Sequence, residues 1–479
     1  MNVREVIAIP SQLPDGFKEK FENMISKSMT EGRIPGLSVA FVKDDRIVYA
    51  RGFGARNKEL NLPATPNTLY GIGSCTKSFT ALAIMQLVEQ EKLELTDPIS
   101  KHIPVRLGKE DDDITIHHLL THSSGIPSLA VAEIIIYRMT GIEDKWIPLS
   151  NLDDLLLHLS GASEEVASEP GKRFFYFNSG YTLLGEVIER VSRMAYEDYV
   201  RKNILKPLKM SRSTFLKDEF EKDPDIMTPY FLEAENENIV ATPTKLPSHR
   251  LKYAPGGLLS SVMELSNYLM FSMNGVFGEK TILKPSLLEE MKKIHIETDM
   301  FRSRYGPFGR EGYGYGWAIL DDFLGCKLVI HGGSIGVSSA HISFVPELKI
   351  GVVEAANAGR SPNLQLLGGL ASLMGRDPEK EIPFFEIDEK LNMLPGEYKT
   401  YRGALRISIV KRGPLLFLEP RDKLIQTSTP LIPETKRIED FKFYIVSEAG
   451  EKRSVWFEVD SLGKIDFYLE RYRFHKTEG

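Results

Sequence analysis

Apolar positions in this chain repeat in some stretches at helical spacing and in others at alternate residues, and each change of period marks an element. Residues 17–31 keep helical spacing and stop before Gly32 and Pro35, which predicts an amphipathic helix. Residues 36–43 and 46–52, separated by Asp44-Asp45, read as two strands joined by a turn. An irregular stretch over 57–69 leads to Ser74, behind which Leu82, Ile84, Met85, Leu87 and Val88 recur at helical spacing. Further helices are predicted over 114–125, 151–159, 182–192 and 262–270. From Tyr313 the period falls to two, predicting strands over 313–320, 327–331, 338–345 and 350–356. The pattern is that of an α+β fold: one antiparallel sheet flanked by the first and last helices, with a mostly helical lobe around the helix behind Ser74.

At Arg376-Asp-Pro-Glu-Lys-Glu-Ile-Pro383 the composition turns charged and proline-containing, which predicts a linker. Short alternating segments follow closely beyond it, over 396–401, 403–411, 415–419, 441–446, 454–459 and 464–474. Six to eight strands in about a hundred residues predict a small antiparallel β-barrel. A chain of 479 residues exceeds one comfortable core. The expected division is an α+β domain over 1–378, a linker over 379–392 and a barrel domain over 393–479.

Composition narrows this picture in a few places. A hydrophobic share of 42% and a charged share of 26% are those of a soluble globular protein. The net charge of -6 gives no reason to expect nucleic acid. No apolar run approaches the roughly 20 residues that span a bilayer, so no membrane partner is expected. Cys75 and Cys326 lie far apart, and the start MNVREVIAIPSQLPDG lacks an apolar leader core. A cytoplasmic location without a disulfide is the expectation. Glutamine is scarce while Lys, Arg and Glu are abundant, the bias of thermophile proteins.

The candidate chemistry begins at Ser74, three residues before Lys77 at the mouth of a predicted helix. Residues three apart share a helix face, with Cβ atoms roughly 5–6 Å apart, so the lysine amine can reach the serine hydroxyl. The helix N-terminus adds a positive end and free N–H groups. A serine hydroxyl needs an adjacent base, and lysine qualifies once burial strips its proton. Taken singly, Ser-x-x-Lys recurs by chance, and Ser74 as a simple helix cap would need no function. Two further stretches change that balance. Tyr176-Phe177-Asn178 follows a loop opened by Pro170-Gly171, and His331-Gly332-Gly333-Ser334 ends a strand whose glycines admit a substrate backbone.

Four other features have plainer readings. Gly332-Gly-Ser-Ile-Gly336 fits GxSxG, but that motif needs a strand-turn-helix elbow and a second strand is expected here. His117, His118 and His122 lack an acidic or cysteine partner at ligand spacing, so they read as packing residues and no metal is expected. Gly312-Tyr-Gly-Tyr-Gly316 has no phosphate-binding helix after it and reads as strand in close backbone contact. Cys75 reads as a small packing residue.

Ser74/Lys77, Tyr176/Asn178 and His331-Gly332-Gly333 occur in that order, together with Leu119-Leu-Thr-His-Ser-Ser-Gly-Ile-Pro127 and Pro255-Gly-Gly-Leu-Leu-Ser-Ser261. On these motifs residues 17–375 resemble the SxxK serine hydrolases of the class C β-lactamase and penicillin-binding-protein superfamily, peptidase family S12, often described as CubicO-like. The C-terminal part is similar to the lipocalin-like barrel of D-stereospecific aminopeptidases and archaeal CubicO-type peptidases. The resemblance implies a class C β-lactamase-like transpeptidase fold, no cofactor, and an acyl-enzyme formed on Ser74. Lys77 and Tyr176 would share the base role, Tyr176 would protonate the leaving group, and His331 would complete the catalytic set. Asn178 would bind Lys77 and the substrate amide, alongside Gly332, Gly333 and Ser334. The N–H groups of Ser74 and Ser334 would form an oxyanion hole, typically worth about 2.7–4 kcal/mol per donor.

Most relatives carry Lys-Thr-Gly where this chain has His331-Gly332-Gly333. Histidine is largely neutral at pH 7, so a fixed positive charge is missing. That tells against β-lactams and against substrates with a carboxylate near the scissile bond. The His-x-Gly variant resembles that of D-aminopeptidases and esterases, and this resemblance implies small peptides containing D-amino acids. Carboxylesterase and β-lactamase remain alternatives on the same fold; a binding protein that has lost catalysis, its barrel holding a ligand or partner, is the alternative of another class. The expected partners are a small peptide or ester substrate and further copies of the chain, joined through the barrel as a homo-oligomer.

Overall fold

The computed structural model describes residues 13–109, 113–142, 146–235, 238–279, 281–420, 427–436, 438 and 440–477. Residues 1–12, which carry most of the leader reading, lie outside the described residues. The chain divides into two compact units, Met1–Arg376 and Asp377–Gly479.

In the first unit, strands β1 (Gly36–Lys43), β2 (Arg46–Asn57), β3 (Leu62–Pro63), β4 (Ile296–Glu297), β5 (Glu311–Tyr313), β6 (Ala318–Phe323), β7 (Cys326–Ser334), β8 (Ser339–Val345) and β9 (Ile350–Ala356) form one antiparallel sheet. Their order is β3-β2-β1-β9-β8-β7-β6-β5-β4. Every residue of β1 is buried, as its mostly apolar sequence, broken only by Ser38 before Lys43, suits a strand covered on both faces. Phe41 points to one face, where Phe17 and Phe21 of helix α1 (Phe17–Gly32) meet it edge-on. Ala40 and Val42 point to the other and join the main core. That core surrounds α2 (Thr76–Glu89), buried on all sides from Thr76 to Leu87. A helix buried on every face belongs in the middle of a domain, and the candidate nucleophile stands just ahead of its first turn.

Next in the chain come α3 (Ile116–Leu120), α4 (Val131–Thr140), α5 (Leu152–Ser160) and α6 (Asn178–Ser192); α6 packs on α2, and α3 and α4 pack on α6. The expected helix over 114–125 is shorter because Thr121 leaves helical geometry and His122 takes a left-handed φ of 57°. The expected strand over 313–320 is two strands, since Gly316 turns the chain at φ 75° and packs on α2, where a Cβ would lie 2.7 Å from Ser78 Cα. The hairpin Tyr230–Glu235 and Asn238–Pro243 had no clear signal.

In the second unit, the stretch expected as a linker is helical, over Pro378–Glu381 and Pro383–Met393. Each helix opens on a proline, whose missing N–H a first turn does not need. Eight antiparallel strands then close into a barrel. Tyr398, Ile409, Leu418, Phe443, Phe457 and Phe467 pack together in its core. The segment expected as one strand over 464–474 is a hairpin of Ile465–Leu469 and Tyr472–Lys476, turned at Glu470 with φ 53°. Strand Thr429–Pro433 carries two prolines, which hid it from the alternation pattern.

Candidate active site

Gly73-Ser74-Cys75 forms a 3-10 turn that runs into α2 and leaves Ser74 half-buried at its mouth. Two glycines allow the end of β7 to lie against this turn. A Cβ on Gly333 would stand 2.0 Å from the Ile72 carbonyl oxygen, and one on Gly73, at φ 52°, would stand 2.5 Å from the Ser334 nitrogen. Any larger residue at either place would push the strand away. The contact brings the Ser74 and Ser334 backbones to one spot, where first-turn N–H groups have no helical acceptor.

Lys77 is the second residue of α2, about one turn beyond Ser74, and is fully buried. Its Nζ is 2.7 Å from Asn178 Oδ1, 2.7 Å from the Pro255 carbonyl oxygen and 3.1 Å from Ser74 Oγ. The rings of Tyr176 and Tyr181 close over it at 4.8 and 5.4 Å. Burial lowers its pKa to about 7, with Cys75 and then Glu133 pulling the other way. A neutral amine has two hydrogens and one lone pair. The carbonyls of Asn178 and Pro255 can only accept, so they take both hydrogens. The lone pair is then left facing the Ser74 hydroxyl.

Tyr176 hydrogen-bonds Ser74 from the other side, and burial pushes its phenol pKa up, which keeps the proton on it at neutral pH. Its loop is pinned by His122 on both sides. The His122 carbonyl accepts the Phe175 N–H at 2.8 Å, and His122 Nδ1 accepts the Phe177 N–H at 3.0 Å. The imidazole stacks on Tyr176 with centroids 4.3 Å apart. Its Nε2 has no hydrogen-bond partner among the described residues and sits among the rings of Tyr176, Tyr181 and Tyr313. Burial and then the Lys77 charge hold it neutral.

His331 stands on β7, 4% exposed. Its Nδ1 is 2.7 Å from the Gly332 carbonyl, an acceptor, so Nδ1 carries the proton. Nε2 therefore accepts from the Tyr313 hydroxyl at 2.9 Å. Burial, with the Lys77 charge next, takes its pKa down to about 3. Both ring nitrogens are occupied and the ring is neutral, which suits a residue that shapes the cleft wall and not one that carries protons.

Ser74, Tyr176, Asn178, His331, Gly332, Gly333 and Ser334 line one cleft of about 580 Å³, with Lys77 behind it. The structure thus brings together every residue singled out on β7, α2 and the 170–178 loop. Ser334 is followed by a tight turn, with the Ile335 N–H on the Ser338 carbonyl at 3.0 Å, and then by β8, so it does not sit on a nucleophile elbow. The other two histidines have separate tasks. His118 completes a capping box with Thr115, and His117 Nδ1 meets the Tyr315 hydroxyl at 2.9 Å. No group able to hold a metal occurs among the described residues. Cys75 is buried, and its thiol donates to the His331 carbonyl at 3.2 Å.

Sequence reasoning missed the part His122 plays and four further contributors. Pro255 lies in a quoted motif, but its part is a backbone carbonyl, which side-chain patterns do not reveal. Glu133, Arg304 and Arg360 also line the cleft, from α4, the short helix Arg302–Tyr305 and a turn after β9, none of which the pattern placed.

Residues 21–369 match the family described as Beta-lactamase, and residues 378–475 match the Pab87 octamerisation domain. The octameric penicillin-binding protein homologue from Pyrococcus abyssi is 41% identical and superposes with a TM-score of 0.87, covering 96% of this chain and 100% of that one. Protein flp of Staphylococcus aureus (strain MW2) is 28% identical over 350 residues, 72% of this chain and 64% of the relative's length. EstCE1, a hydrolase with promiscuous acyltransferase activity, is 23% identical and shares the fold, with a TM-score of 0.61 over 75% of this chain and 98% of that one. No described helix is long and apolar enough to cross a membrane.

Proposed function

The chain belongs to the beta-lactamase family of serine hydrolases, and from that premise we propose that it hydrolyses small peptides containing D-amino acids through an acyl-enzyme on Ser74. The observation that carries the chemistry is the Lys77 amine, whose hydrogens are held by Asn178 and Pro255 while its lone pair meets the nucleophile. Ser74 Oγ attacks the scissile carbonyl and gives its proton to Lys77. The N–H groups of Ser74 and Ser334 hold the oxyanion. The Lys77 ammonium returns the proton through the Tyr176 hydroxyl to the leaving nitrogen, and the C–N bond breaks. Water then attacks the ester, passing its proton back along the same route as the bond to Oγ breaks, and Ser74 regains its hydrogen. The D-peptide assignment rests on the resemblance at His331-Gly332-Gly333.

The octamerisation-domain match supports a homo-oligomer built through the second unit. Its core is filled by its own side chains, which favours assembly over ligand storage there.

The test is turnover by the wild type and Ser74→Ala of matched D- and L-aminoacyl amides and a D-residue peptide, with a chromogenic cephalosporin and a short-chain ester alongside. D-amide turnover that Ser74→Ala abolishes is the expected result. Turnover of the ester alone would move the assignment to a carboxylesterase, and absence of any Ser74 acylation would move it to a binding protein.

A further inference from the structure

The charges on the cleft walls are not scattered. Arg304 lies in the short helix Arg302–Tyr305 and acts electrostatically on Tyr176 and His331. Its neighbours in sequence are paired: Arg310 holds Asp321 at 2.8 Å, and Arg302 lies 3.9 Å from Glu311. The Arg304 guanidinium has no carboxylate partner among the described residues and lines the cleft instead. Arg360 lines it too, on a turn fixed on both sides. The Arg360 carbonyl accepts the Ser339 hydroxyl at 2.7 Å, and the next residue, Ser361, donates to Glu354 at 2.6 Å. Glu133, exposed in the first turn of α4, acts instead on Lys77 and on the buried Lys252.

We infer that Arg304 and Arg360 bind the terminal carboxylate of the leaving residue, and Glu133 the ammonium of the acyl residue, so that the cleft selects short peptides with both ends free. The inference rests on the reading of Ser74 as the acylating nucleophile. Tyr176 delivers the proton to the leaving nitrogen, and Arg304 is the cation that acts on Tyr176, so the carboxylate falls on the leaving side. Guanidinium forks suit carboxylates, and a partly enclosed cleft strengthens the pairing. The cleft volume is that of a small-molecule site and not of a groove for a folded chain. The two arginines supply the positive charge that His331-Gly332-Gly333 lacks. The expectation that carboxylate-bearing substrates are disfavoured is thereby reversed.

The experiment uses Ser74→Ala protein, so that binding is read without turnover. Tri-D-alanine and tri-L-alanine are titrated calorimetrically as free peptides, as C-terminal amides and as N-acetyl derivatives. Blocking either end is expected to weaken binding about tenfold or more, the size of one charge-assisted pair. Adding Arg304→Gln and Arg360→Gln should abolish the preference for a free carboxylate and keep that for a free amine, and adding Glu133→Gln should do the converse. Equal affinity for all forms, equal weakening of all forms by each variant, or no binding of either free peptide would overturn the inference. Wild-type hydrolysis of the same peptides separates this from the proposed function. End-dependent binding without hydrolysis keeps the subsites and removes the peptidase, whereas hydrolysis indifferent to blocking keeps the peptidase and removes the subsites.

Discussion

The active-site region and the barrel bury side chains equally deeply and use that burial in opposite ways. Around Ser74 the buried set includes Lys77, His122, His331 and Glu354, none more than 4% exposed. None of these four forms an ion pair among the described residues, and each has its protonation moved towards the neutral form. Lys77 falls to about 7, His331 to about 3, and the Glu354 carboxyl rises to about 8, burial being the first cause in each case. In the barrel the buried set is mostly apolar or aromatic, with the Phe457 ring in contact with both Phe443 and Phe467. Its buried charge, Asp466, keeps partners: burial pushes its carboxyl up, but hydrogen bonds from Arg473 and His475 outweigh that and hold it below the usual range. Burial of an uncompensated polar group produces reactivity at the expense of stability, and burial of hydrocarbon produces stability alone.

The largest expected effect breaks the barrel side of this contrast. Phe467→Ala empties part of an aromatic core and should lower unfolding stability by about 3–5 kcal/mol in a denaturant titration, while Ser74 acylation per folded molecule stays the same. An unchanged midpoint would contradict a packed barrel. The next effect sharpens the site side. His122→Ala removes the acceptor that fixes Phe177 and the ring that backs Tyr176, so kcat should fall about 10- to 100-fold, or 1.4–2.7 kcal/mol, with KM little changed. Loss of stability with kcat intact would reduce His122 to packing.

The smallest effect concerns the barrel's charges. The Asp466 carboxyl is held below its unfolded value of 3.8, so its contribution is present above about pH 3.8 and is lost as the pH falls further. Arg473→Gln leaves His475 in place, and the guanidinium is half-exposed. At neutral pH the unfolding midpoint should move least of the three, and the shift should vanish in high salt. A large salt-resistant shift would mean that the barrel, too, depends on a buried charge.

Much of the fold was legible in the sequence, because helix and strand periods differ and the apolar residues of the helix behind Ser74 recur at helical spacing. That Ser74, Lys77, Tyr176, Asn178 and His331 would meet at one cleft was legible from residue type and order. The expected catalytic part of His331 was not, because its two ring nitrogens are taken by Gly332 and Tyr313. What stayed hidden acts through the backbone or depends on loop paths. Pro255 contributes a carbonyl, His122 binds two backbone N–H groups, and Arg304, Arg360 and Glu133 reach the cleft only through the folding of surrounding segments. The helices within 379–392 stayed hidden for a related reason: a charged, proline-containing stretch reads as a linker, yet proline at a first helical turn is compatible with a helix.

The central claim is that burial makes Lys77 a neutral base aimed at Ser74, and the most direct measurement is the rate of Ser74 acylation by a D-aminoacyl ester. It would be followed by intact-protein mass spectrometry from pH 5 to pH 10. Below its pKa Lys77 is an ammonium and has no lone pair to offer, so the rate should be low, rise through a single deprotonation near pH 7 and level off above it. A rate that is flat across this range, or that rises only towards the ordinary lysine value of 10.5, would contradict the account.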